Sequence, residues 1–114
     1  MIDRAQTRDQ LTAWMQGQRQ AQEVWLWAEK AKLDRETFED RLVQDVVDIL
    51  AALPQDLITE EDAEIMLYGL NNPIEEADLA QNLLWNHFDN IDIEARRRAL
   101  ADDPFYGPFC GSVT

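Results

Sequence analysis

Groups able to do covalent or metal chemistry are few in this chain. His87 is its only histidine and Cys110 its only cysteine. A general base or nucleophile needs a neighbour to tune and orient it, and neither residue has one nearby in sequence. On a helical reading His87 falls at the edge of an apolar arc, which suits an imidazole satisfied at the core boundary. Leu84 stands three positions before it, where a di-iron bundle would place a carboxylate. Cys110 reads first as a small hydrophobe and second as an accessory thiol. Asp89, Asp92 and Glu94 lie close together, but their spacing misses the alternating ligands of a calcium loop and no central glycine stands among them. No glycine-rich phosphate loop is present. The expectation is a chain without enzymatic activity, cofactor or metal.

Charge carries the stronger signal. Between Arg41 and Arg96 there is no lysine or arginine, whereas thirteen carboxylates fall in that stretch. Residues 1–33 hold five basic and four acidic groups, and residues 34–114 hold five basic and nineteen acidic ones. A one-signed surface repels itself and weakens the compact state, so tolerating one suggests a positive partner. The same sign disfavours the nucleic-acid backbone and anionic membranes. Glu60, Glu61, Asp62, Glu75, Glu76 and Asp78 have a local explanation, because helix starts favour carboxylates. Asp45, Asp48 and Glu64 have none, and they are the acidic candidates for contact. The run Arg96-Arg97-Arg98 is read as a neutraliser of nearby carboxylates ahead of an anion site.

The chain has 114 residues, of which 46% are hydrophobic and four are tryptophan. That is too apolar for a disordered acidic tail and enough for one buried core. A lone cysteine excludes an intrachain disulfide, so a reducing compartment, the cytoplasm, is the default expectation. The opening Met1-Ile2-Asp3-Arg4 lacks a leader's apolar segment, and no apolar run approaches the roughly 18 residues that span a bilayer.

These groups must be positioned by helices. Thr7 with Gln10 predicts a capping box for one long helix over about 8–32. Its core arc is Leu11, Trp14, Met15, Gln22, Trp25 and Leu26, and Trp27 points nearly opposite. A second flank of small residues, Ala13, Gly17, Ala21, Val24, Ala28 and Ala31, predicts a helix-packing seam or a homodimer contact. Asp34 caps a second helix over 35–53, deeply buried through Phe38, Leu42, Val46, Ile49, Leu50 and Leu53, and Pro54 ends it. Thr59 caps a third over 60–70. Pro73 opens a fourth to about Phe88, with Leu79, Leu83, Leu84 and His87 on one arc and Ile74, Ala77, Trp85 and Phe88 on another. A short fifth runs from Asp92 to Ala101. No period-2 alternation predicts a strand.

The expected fold is therefore all-α: a compact bundle of four to five helices over 1–103, with helices one, two and four forming the core. An irregular aromatic tail, 104–114, packs on the bundle or on a partner. The expected function is an acidic protein-binding module, an inhibitor or regulator of a basic protein in the manner of immunity proteins, antitoxins or nucleic-acid mimics. Its contact residues would be Asp45, Asp48, Glu64, Trp27, Trp85, Phe105, Tyr106 and Phe109. The alternative is an accessory or assembly subunit of an enzyme complex, held through helix one and the tail.

Overall fold

The computed structural model describes residues 1–110; the side chain of Ile74 and residues 111–114, the end of the expected tail, lie outside the described residues. Six α-helices are found among the described residues: α1 (Arg4–Met15), α2 (Ala21–Leu33), α3 (Arg41–Ala51), α4 (Glu60–Asn71), α5 (Ala77–Asp89) and α6 (Ile93–Leu100). Short 3₁₀ turns cover Ile74–Glu76 and Gly107–Phe109. The all-α class holds, with one or two more helices than expected.

The extra helix comes from Gly17. The long first helix is two helices, because Gly17 takes φ +76° and stops α1. Its N–H donates to the Trp14 carbonyl, and the Gln18 N–H to that of Ala13, the bonding of a left-handed glycine cap. The packing-seam role expected for Gly17 is therefore wrong: an added Cβ there would meet nothing within 4 Å. The break also resets the helical phase, so an arc drawn straight through from Leu11 misplaces α2. Leu26 is exposed, while Val24, Ala28 and Ala31 are buried. The small-residue line of α2 is its core face and lies along α3. Val24 and Ala28 are thus closed to a homodimer, and Ala13 and Gly17 belong to a different element.

Three further boundaries move, one of them the start of α5, which lies at Ala77 after a 3₁₀ turn rather than at Pro73. Asp3, with Gln6, caps α1; Thr7 lies buried one turn in, its hydroxyl donating to the Asp3 carbonyl. Asp34 closes α2 rather than opening the next helix, and Asp40 caps α3 by accepting from the Val43 N–H. Between them Arg35 takes φ +53°, and Ile2 pairs with Phe38 in one parallel bridge. Arg4 ties these ends together. Its Nε lies 2.6 Å from Asp40, and its Nη1 donates to the Leu70 and Asn72 carbonyls at the C-terminus of α4, where the helix dipole favours a cation.

α3 is the central helix, with Leu42, Val43, Val46, Val47, Ile49 and Leu50 buried. α2 covers one side, and α1 lies along α4 on the other. α4 buries Ala63, Met66 and Leu70, so the third predicted helix joins the core in place of the fourth. α5 buries only Ala80 and Leu84. The aromatic tail docks on α2, where Trp25 stands 5.9 Å from Phe105 and 6.2 Å from Phe109 between ring centroids. No described helix is long and apolar enough to cross a membrane.

Candidate partner-binding surface

The most tightly held polar cluster sits beneath the acidic surface. Asp62 caps α4 reciprocally with Thr59: its carboxylate accepts the Thr59 N–H at 2.8 Å. α4's apolar stripe of Ala63, Met66, Gly69 and Leu70 runs through the same face, so Asp62 is fully buried. Arg96 meets it in a two-pronged pair, Nη1 to Oδ2 at 2.5 Å and Nη2 to Oδ1 at 3.0 Å. His87 Nε2 lies 2.7 Å from Oδ1, and Arg96 Nη1 also donates to the Leu57 carbonyl at 3.1 Å. Leu57 itself holds φ +54° at the close of the α3–α4 turn. Burial alone would raise the Asp62 pKa. The hydrogen bonds from Arg96, Thr59 and His87, with the Arg96 charge, outweigh it and hold the carboxyl below its ordinary range. The Arg96 pKa is raised in turn, chiefly by its bond to Asp62. Tyr106 closes the cluster, its hydroxyl donating to the Ile58 carbonyl; burial, then the charges of Asp103, Asp62 and Glu60, push its pKa up.

Both oxygens of Asp62 are engaged by protein donors, so the cluster clamps α4, α5, α6 and the tail together. Of the arginine run only Arg96 takes the expected role of neutralising a carboxylate of the acidic helices, since Arg97 pairs with Glu94 on its own helix, and His87 takes the boundary role expected of it. Among the described residues no group of three or more His, Cys, Asp or Glu side chains could hold a metal ion.

The expected contact residues separate into two sets. Asp45 accepts from Gln81 Nε2 at 2.5 Å, and Asp48 pairs with Lys32 at 3.2 Å, so both already serve contacts within the bundle. Trp27 is half-buried against the core, Phe105 is half-buried beside Trp25, and Tyr106 is buried. Phe109 is 37% exposed at the edge of the same aromatic group. Cys110 is buried, its thiol donating to the Tyr106 carbonyl. Glu64 and Trp85 remain exposed.

Glu64 and Trp85 flank a surface that sequence reasoning passed over. α5 carries Leu79 at 57%, Leu83 at 45% and Trp85 at 44% exposure. Contacts of Gly69 with Ala80 and of Asp62 with His87 fix which edge of α5 adjoins α4. By helical phase Leu79 and Leu83 lie on that edge, and Tyr68 is 60% exposed on the outer face of α4. Trp85 and Phe88 lie on the opposite edge, facing the end of α3 and the start of α6. Glu64, Glu75, Glu76 and Asp78 are exposed on α4, on the turn that joins it to α5 and at the start of α5. The result is an apolar strip with a carboxylate rim. The two apolar arcs read on α5 were the signal in the sequence, although the open side cuts across them: Leu84 is buried while Leu79 and Leu83 on the same arc are exposed.

No protein-family model, curated protein or solved structure matches this chain.

Proposed function

We propose that the chain is a non-enzymatic binding module that holds a basic, amphipathic segment of a partner protein along α5 and the adjoining edge of α4. One observation carries this reading. Leu79, Leu83 and Trp85 are exposed on a helix that lies wholly within the stretch lacking lysine and arginine. An apolar strip supplies area, and a one-signed rim selects charge, speeds encounter and fixes register. A partner with leucine-like residues on one helical face and lysine or arginine beside them meets both demands. Inhibition or regulation of a basic protein is the role that suits such a surface, and the lone cysteine suits a reducing, cytoplasmic setting.

An accessory subunit held through helix one and the tail draws less support. Helix one is two helices, and Tyr106 and Phe105 are committed to the bundle's own core and to Trp25.

The test is capture from native extract on the wild-type chain and on Leu79→Ser/Leu83→Ser, followed by kinetics with the purified partner. A basic partner is expected, with an association rate falling about tenfold or more from 0.05 to 0.5 M salt as the screening length shortens. The double variant, changed only at exposed positions, is expected to keep its fold and lose most of the affinity. A salt-insensitive rate together with unchanged affinity in the variant would overturn the proposal.

A further inference from the structure

On the far edge of α5 lies a separate hollow of about 320 Å³. Ile49, Ile58, Ile91 and Ile93 line it with aliphatic surface from the end of α3, the α3–α4 turn, the α5–α6 turn and the start of α6. Trp85 and Phe88 form its aromatic wall, their ring centroids 6.3 Å apart and inclined at 55°. Asp56 also borders it, exposed and without an ion pair among the described residues. Arg97 also borders the hollow, but its guanidinium is held 2.9 Å from Glu94, so that pair contributes little net charge.

We infer that this hollow receives a lysine side chain of the basic partner, with the stem against the isoleucines and the ammonium between Asp56 and the Trp85 ring. The chemistry follows from the lining. A lysine buries its four-carbon stem on apolar surface while its head seeks charge and water. The exposed indole adds an attractive face for a cation, and Asp56 supplies the opposite charge. An uncharged side chain of the same length fits the walls but leaves Asp56 without a counter-ion. A carboxylate at that point would be repelled. The inference rests on the proposed basic partner for its biological meaning, and its own test needs no partner.

Two short blocked peptides, alike except for a central lysine or the uncharged isostere norleucine, are titrated into the isotopically labelled chain at low ionic strength. The Trp85 indole N–H and the amides of Ile91 and Ile93 report occupancy by NMR. The lysine peptide is expected to shift these signals with a Kd about fivefold lower than that of norleucine, the scale of one exposed ion pair with a cation–π contact. Asp56→Asn, at an exposed position, should bring lysine down to the norleucine value without moving the rest of the spectrum. Equal binding of the two peptides, no shift with either, or no effect of Asp56→Asn would each overturn the inference. None of those results touches the leucine edge, whose own test is the salt-dependent association described above.

Discussion

Asp62 and Arg96 show how much depends on two side chains. A buried carboxylate is tolerated only when its charge and lone pairs are answered, and here Arg96, His87 and the Thr59 N–H answer them. Arg96→Met should therefore destabilise the fold by about 3–5 kcal/mol at neutral pH, because Asp62 is left charged and buried without its cation. The pH dependence has a definite sign. The Asp62 carboxyl in the wild type is held below its ordinary range, so its contribution is complete above the unfolded carboxylate pKa and is lost as pH falls through the folded one. In the variant burial dominates and raises that pKa, so protonation relieves the cost. The stability gap between the two should narrow as pH falls from 7 towards 4. Urea melts at several pH values measure it; a gap that stays constant would mean that the pair carries little of the energy. Both residues could have been found in the sequence, since each sits on an otherwise apolar stripe: Asp62 with Met66 and Leu70, Arg96 with Ile93 and Leu100. What the sequence lacked was the pairing, which is set by how α6 folds back on α4.

Among elements, the first two helices hold the sharpest lesson. A run of helix-compatible residues from Arg8 to Lys32 contains a single glycine, and propensity alone charges about 1 kcal/mol for keeping it in a helix. That is a small cost against a long helix's packing, so the continuous reading was natural. The glycine was instead a stop, satisfying carbonyls at the end of α1 in a left-handed conformation. Arg35 holds a similar angle without being glycine, which hid the turn before α3; Leu57 does so too, but Pro54 and Thr59 had already marked its turn. Boundaries set by local chemistry were legible: Thr59 before α4, Asp92 before α6 and the stop at Asn71. Gly17→Ala separates the two views of the first helix. A mid-helix glycine would gain stability on becoming alanine, whereas this one should lose about 1–2 kcal/mol because alanine is strained at positive φ. A chemical melt of the two proteins decides it, and a stabilised variant would restore the single long helix.

For the whole molecule, the net charge of −13 and the incomplete burial of α5 are two sides of one account. Charge read from the sequence identified the sign of the surface but not its centre, because Asp45 and Asp48 answer groups within the bundle. Apolar periodicity identified α5 as amphipathic on two sides but not which side stays open, since that depends on where α3, α4 and α6 lie. If acidity and exposed leucines act together at this one place, a designed amphipathic helix of leucine and lysine should bind there, and NMR mapping on the labelled chain measures it. A leucine–glutamate helix of the same pattern serves as the comparison. The predicted result is a set of shifts confined to α5, the Tyr68 edge of α4 and the hollow at Ile91 and Ile93, weakened by salt and absent with the glutamate helix, with those at the leucine edge lost in Leu79→Ser/Leu83→Ser. Shifts spread over every acidic part of the surface, or centred on Leu26 and Leu33 of α2, would contradict it.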